Sequence, residues 1–304
     1  MPPAMPHAGV DEEFVLKKCA YFRDVGLWPR TEVVSPEQWL SNFTDEENPY
    51  AVQLLNSFQY FSEDLTNELF AAAFQGISSH VWLKHGPSVA SVWASLVDRA
   101  LICPVEGERP NPTDSGYLFA RRARQLLEID EARILRPRDA LFRLLASSAP
   151  VVFVDDFVGS GNQFIDTWTR LYAFPGTVGL SFKTVASVRG GEFYYCPLVC
   201  TEYGAQRIST ECPEVVVSAA HLVTARDGAF ALDSRMWPPS LLRGATEFIR
   251  VASERAGIPA AGENGWKGFH ELGLAVGFAH SVPDATLPIF YWENNGWNPL
   301  LRRT

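Results

Sequence analysis

The sequence offers little from which to build a metal centre or a disulfide framework. Its five cysteines are Cys19, Cys103, Cys196, Cys200 and Cys212, an odd number thinly spread. Cys196 and Cys200 lie four apart in an apolar run, but no second pair at zinc-ligand spacing accompanies them. They read as buried free thiols of a reducing compartment. Positive charge is also short: 26 Lys and Arg stand against 35 Asp and Glu, a net charge of -9. Nucleic-acid backbones are bound through basic surface, so direct nucleic-acid binding is not expected. The densest basic stretch, Arg121-Arg122-Ala123-Arg124 with Arg133, Arg136 and Arg138, is interleaved with Glu128, Asp130 and Glu131. It reads as a solvated helix face. No apolar run reaches the length of a membrane span, and Met1–Val10 has neither the basic start nor the apolar core of a signal peptide. The expected setting is the cytoplasm, with no membrane partner. Nowhere does GxxxxGK[ST] occur, which removes the P-loop nucleotide hydrolases, and no internal repeat is found.

What is abundant is core material. Hydrophobic residues make up 47% and aromatics 12%, with nine Trp. A chain of 304 residues with that content supports one elaborated α/β domain or two packed domains. Residues 1–10 are rich in Pro and Ala and are expected to be a disordered tail. Residues 11–78 read as a helical region: Ser35-Pro36 opens one helix, Asn48-Pro49 another, and Asp64–Phe74 a third. Residues 79–232 alternate strands and helices, and residues 233–304 form a C-terminal extension with one helix, Leu241–Ala256. Strands are expected at Ser79–Leu83, Val151–Val154, Leu180–Val188, Tyr194–Thr201 and Val215–Ser218, and helices at Tyr117–Leu127, Pro137–Ala146 and Gln163–Tyr172. Cys103–Gly116, with its prolines and glycines, reads as an irregular loop. This is an α/β pattern with a mostly parallel sheet flanked by helices.

One segment carries chemistry: Val151–Gln163, VVFVDDFVGSGNQ. Four apolar residues place a strand in the middle of a sheet. Asp155 and Asp156 follow at its C-terminal end, the edge at which open α/β sheets bind ligands. Strand alternation points the two carboxylates to opposite sides. Gly159, Ser160, Gly161, Asn162 and Gln163 then lead into a helix. Glycines let the backbone turn and approach a ligand, and a helix N-terminus favours an anion. Carboxylates can accept from ribose hydroxyls while the loop takes a phosphate. A Walker B strand and a plain structural turn are the competing readings. The first would require the P-loop that is missing.

The segment resembles the diphosphoribosyl-binding motif of type I phosphoribosyltransferases: four apolar residues, two acids, three variable positions and a Thr/Ser-Gly pair. Asp155 and Asp156 match the acids, and Ser160 and Gly161 match the pair. The resemblance implies a type I phosphoribosyltransferase-like fold and acids that contact the 2′ and 3′ hydroxyls of ribose. It implies a 5-phosphate loop at Gly159–Gln163, phosphoribosyl pyrophosphate as ligand, and Mg²⁺ near Asp155 and Asp156. Gly159 departs from the purine-salvage members, which commonly carry an acid there. The helical N-terminal region (Trp39-Leu40, Leu54-Leu55-Asn56) and the tail (Gly277-Phe278, Val282–Phe290, Trp292, Trp297, Pro299, Leu300, Arg302) resemble a narrower bacterial group. Its members are phosphoribosyltransferase-like proteins with a C-terminal extension, associated with anti-phage defence.

A transferase must also stabilise departing pyrophosphate, ordinarily with Mg²⁺ and cationic donors. Lys84, at the end of the expected Ser79–Leu83 strand, is where the resemblance puts the pyrophosphate loop; an exposed turn lysine is the other reading. Arg109, in the insert with Glu106, Glu108 and Asp114, is a further cation at the position of the family's mobile loop. His221, after the Val215–Ser218 strand, either lines the site or packs. Two functions remain open. One is an enzyme that transfers or cleaves the N-glycosidic link of a nucleotide. The other is a catalytically inactive sensor of a nucleotide or ribose phosphate that regulates a protein partner from the same operon.

Overall fold

The computed structural model describes residues 10–29, 33–107, 110–111, 114–174, 179–262 and 265–302. The Pro- and Ala-rich start, Glu108 and Arg109 therefore lie outside the described residues, save Val10. In chain order the elements are α1 (Glu12–Asp24), α2 (Pro36–Leu40), α3 (Asn48–Ser57), β1 (Gln59–Phe61), α4 (Glu63–His85), α5 (Val89–Arg99), β2 (Leu101–Pro104), α6 (Ser115–Leu126), α7 (Pro137–Ala146), β3 (Val151–Val158), α8 (Asn162–Thr169), α9 (Phe182–Arg189), β4 (Phe193–Thr201), α10 (Glu202–Glu211), β5 (Val215–Val217), β6 (His221–Val223), α11 (Pro239–Ala256) and β7 (Val276–Phe278). They fall into two compact units. One spans residues 66–223; the other joins residues 1–65 to residues 224–304.

The unit of residues 66–223 is built on a parallel sheet in the order β2-β3-β4-β5. β6 runs beside the C-terminal half of β4, where His221 aligns with Val199 and Val223 with Thr201. β4 is buried along its whole length and β3 at all but Phe157, which is why both read as nearly unbroken apolar runs. Side chains of alternate strand residues meet a different layer on each face. Phe153 and Tyr195 pack with Phe164, Trp168 and Phe182 from α8 and α9, and Ala140, Leu141 and Leu144 of α7 join them. On the other face Cys196 and Ser218 both donate to the carbonyl of Ala73 in α4, and Phe70 of α4 meets Phe119 of α6. The result is a three-layer helix-sheet-helix arrangement.

Three expectations from the sequence are corrected here. Ser79–Leu83 is the last part of the 23-residue helix α4, not a strand. Phe70, Ala73, Phe74, Ile77 and Val81 are buried at helical spacing, and a run of three apolar residues, Val81 to Leu83, has too little length to reveal its period. Leu180–Val188 is likewise mostly helix, capped by the Ser181 hydroxyl, which accepts from the Thr184 N–H. Conversely, the first strand of the sheet is Leu101–Pro104, whose proline and neighbouring glycines made it resemble a loop. A proline at the end of a strand is tolerated there.

The second unit is assembled from both ends of the chain. β1 and β7 pair in parallel, aligning Gln59 with Val276 and Phe61 with Phe278. Trp39 of α2 stacks on Phe290 at 5.3 Å, and its Nε1 donates to the carbonyl of Ile289 at 2.9 Å. Trp297 donates to that same carbonyl. The tail tryptophans Trp297 and Trp292 thus act as packing anchors within this unit.

Candidate functional site

At the C-terminal edge of the parallel sheet, β3 outruns β2. The last paired residues are Pro104 and Val154, so Asp155 and Asp156 emerge beyond the end of the neighbouring strand. The start of α6 fills that place. A Cβ on Gly116 would lie 2.5 Å from the Val105 carbonyl oxygen and 3.1 Å from that of Val154, so only glycine lets the helix begin so close. This puts the Ser115 hydroxyl 2.7 Å from Asp155 Oδ1, to which it donates. Tyr195 Oη of β4 donates to Oδ2 at 3.3 Å. Asp155 is 2% exposed and Asp156 is 6% exposed. Burial, with the adjacent Asp156 carboxylate adding to it, pushes the Asp155 carboxyl well above the ordinary range, against the opposing Ser115 hydrogen bond. The same burial, with Asp155 alongside, raises the Tyr195 phenol.

The loop after β3 is shaped by its carbonyls. That of Gly159 accepts from Thr201 Oγ1. That of Ser160 accepts from Arg207 Nη1 at 2.9 Å, and that of Gly161 from the Ile165 N–H at 3.0 Å. Each trans peptide holds its N–H opposite its C=O. The N–H groups of Ser160, Gly161 and Asn162 are therefore directed away from the elements that take the carbonyls. Among the described residues, neither the Ser160 nor the Gly161 N–H donates to another group of the chain. Gly161, at φ +80° and ψ 0°, makes the turn into α8 and sits against Ile208. Successive N–H groups converging at a helix start form a concave anion site.

That loop rests on the start of α10. Thr201 ends β4, caps α10 by accepting from the Gly204 N–H, and donates to Gly159. A Cβ at Gly204 would lie 2.5 Å from the Gly159 carbonyl oxygen. Arg207, one turn on, also donates to Asn162 Oδ1 and to Glu211 Oε1. On the other flank, the segment after β2 is fixed by Glu106. Its carboxylate accepts from Tyr117 at 2.8 Å, Arg170 at 3.2 Å and Tyr172 at 3.3 Å. Arg170 also donates to the Gly107 carbonyl at 2.7 Å, and the Asp114 carboxylate accepts from the Gly107 N–H. Burial and the Glu106 charge raise both phenols.

The structure thus brings together Asp155, Asp156, Gly159, Ser160, Gly161, Asn162 and Gln163 at one edge. It does not bring Lys84 there. Lys84 lies in the last turn of α4 and faces Glu192 at 3.8 Å. Glu192 directly precedes β4, and its carbonyl accepts from the Val151 N–H at the start of β3. In a parallel sheet this is the N-terminal edge, opposite the acids, so Lys84 is corrected from the pyrophosphate side to the far edge. His221 begins β6 in the same row as Phe157, two strands away. Among the described residues no group of three or more His, Cys, Asp or Glu is arranged to hold a metal ion. The five cysteines are free and buried, and burial pushes the Cys200 and Cys212 thiols up to about 12.

Sequence reasoning missed Ser115, Tyr195, Thr201, Arg207 and the partners of Glu106. One had a local signal: Thr201-Glu202 after an apolar strand is a helix start. Ser115, Tyr195 and Arg207 reach the acids and the loop from 40 or more positions away along the chain, and Arg170 reaches Glu106 from 64. No helix among the described residues is long and apolar enough to cross a membrane.

No curated protein and no solved structure matches the chain. The PRTase-CE family, phosphoribosyltransferases with a C-terminal extension, matches residues 36–303. With a parallel α/β sheet, two adjacent acids and a glycine loop at one edge, and a match over nearly the whole length, the chain belongs to the PRTase-CE family and is a phosphoribosyltransferase-like protein.

Proposed function

We propose that this protein binds a phosphoribosyl compound, phosphoribosyl pyrophosphate or a nucleotide, at the β3–α8 loop. The observation that supports this most is the loop's carbonyl arrangement: three successive C=O groups are held on the α8 and α10 side, which leaves the Ser160 and Gly161 N–H groups for an incoming anion while the Asn162 N–H donates to Ser160 Oγ at 3.4 Å. Asp155 and Asp156 stand a few residues before it, in position to accept from ribose hydroxyls. Two adjacent buried carboxylates also suit Mg²⁺, which is commonly bound through one or two carboxylates and completed by substrate oxygens. Since alternation along β3 turns Asp155 and Asp156 to opposite sides, one of the two would hold it, and it would offset charge on a departing diphosphate. With Lys84 at the far edge, the pyrophosphate side of this reading moves to the segment after the first strand, β2, where Arg170 and Asp114 fix Gly107.

On this reading the protein transfers a phosphoribosyl group or cleaves an N-glycosidic bond, and serves in anti-phage defence. The defence role rests on the resemblance alone. Binding without turnover, with the signal passed to a protein partner, is favoured by one feature: Arg170 is already committed to Glu106 and Gly107. Incubation with Mg²⁺, phosphoribosyl pyrophosphate and a panel of bases separates the two. Pyrophosphate release that is lost in Asp156→Ala supports the enzyme, and tight binding without release supports the sensor. Absence of binding to any sugar phosphate, by calorimetry, rejects both.

A further inference from the structure

Arg207 lies outside the motif, yet its guanidinium is the cationic group bonded to the anion loop. One nitrogen, Nη1, donates both to the Ser160 carbonyl and to Asn162 Oδ1, and Nη2 donates to Glu211 Oε1 at 2.9 Å. Tyr203 lies under the guanidinium at 5.9 Å. An arginine can only donate, so the amide atom that faces it must be the oxygen of Asn162. The Nδ2 donors then occupy the other branch of that amide, and among the described residues no group of the chain accepts from them. Arg207 therefore does three things at once. It turns a carbonyl dipole away from the anion, fixes the orientation of a side-chain donor, and leaves a positive charge behind the loop. Glu211, at 44% side-chain exposure, draws on that charge from the solvent side.

We infer that Arg207 is a positioning residue that makes the β3–α8 loop select a dianionic phosphomonoester, such as the 5-phosphate of a ribose, over a monoanion or an uncharged sugar. This rests on the ribose-phosphate reading of the loop and adds the source of its charge preference. Neither Ser160 nor Asn162 carries charge, and α8 has only eight residues, so its dipole is modest. A guanidinium one hydrogen bond behind the loop supplies what they lack. Because the guanidinium acts through the loop, the expected effect is about tenfold in affinity, ~1.4 kcal/mol.

The test is calorimetric binding of ribose 5-phosphate and of ribose to the full chain, wild type and variants, between pH 5 and 8. A phosphomonoester takes its second charge near pH ~6. Wild type should bind more tightly as pH rises through that point. Asp155 and Asp156 are present in every variant, so the comparison between proteins, rather than the wild-type slope alone, reads the part due to Arg207. Arg207→Gln should lose about tenfold in ribose 5-phosphate affinity and flatten the pH dependence, with Arg207→Lys restoring most of the slope. Should Arg207→Gln fold poorly, Glu211→Gln decides, because that residue is at the surface: releasing the shared guanidinium should tighten binding about two- to threefold at low salt. Equal affinities and equal pH slopes in wild type, Arg207→Gln and Glu211→Gln would overturn the inference and leave the site reading standing. No binding of ribose 5-phosphate to wild type would overturn both.

Discussion

Asp155 is where the residue scale has the most consequence. Its carboxyl is raised because burial and Asp156 both disfavour the charged form, and the Ser115 hydrogen bond only partly opposes them. An acid whose folded pKa exceeds its unfolded value holds its proton longer in the folded state. Its stabilising contribution is complete below the unfolded value of about 3.9 and is lost as pH rises through the folded one. Asp155→Asn removes this penalty and can still accept from Ser115. The variant is expected to melt above wild type at pH 7, with the gap closing toward pH 4. A gap that does not change with pH in thermal unfolding would contradict it. Glu106 is a buried carboxylate held by an ion pair and two phenols. Glu106→Gln leaves Arg170 half-paired and should lower stability by roughly 2–3 kcal/mol, read as a shifted denaturation midpoint.

At the scale of elements, the site depends on three glycines that let backbone meet backbone. Gly116 admits α6 to the end of β2 and β3, Gly161 turns the chain into α8, and Gly204 seats α10 beneath the loop. Gly204→Ala places a methyl 2.5 Å from the Gly159 carbonyl oxygen, which is backbone and cannot swing aside. The expected cost is about 1–3 kcal/mol of stability, together with weaker binding of ribose 5-phosphate, since the loop must shift. Gly161→Ala should cost a similar amount through its left-handed backbone, about 1–3 kcal/mol, while α10 stays in place. Calorimetry and thermal melts on the two variants check both. The motif strand, α7 and α11 were legible from apolar runs and proline starts. Ser79–Leu83 and Leu180–Val188 were not, because a short apolar run satisfies either period, and the choice between them is made by what packs against it.

For the whole molecule, the two ends of the chain close one unit. Phe290, Trp297 and Leu300 from the tail complete a core with Trp39, Leu54 and Leu55 from the helical region. Deleting residues 288–304 removes Phe290 and the Ile289 carbonyl from Trp39 and exposes several fully buried side chains. Burying one large aromatic is worth about 3–5 kcal/mol when truncated, so the unit of residues 1–65 and 224–304 should lose cooperative folding. Limited proteolysis should then cleave within residues 11–65 and 224–287 while the sheet of residues 66–223 stays protected at first. Trp39→Ala in the full chain should act in the same direction and more mildly.

The amino-acid sequence by itself determined the loop's composition, the two acids at a sheet edge and the α/β class, because each is written in residues close together in the chain. Only the tertiary structure decided which groups surround them. It moved Lys84 to the opposite edge, made Leu101–Pro104 the neighbour of the motif strand, and brought Ser115, Tyr195 and Arg207 to the acids and the loop from 40 or more residues away. Contacts between distant segments depend on how strands order in the sheet and which helix covers which face, and no local pattern of side chains encodes that order.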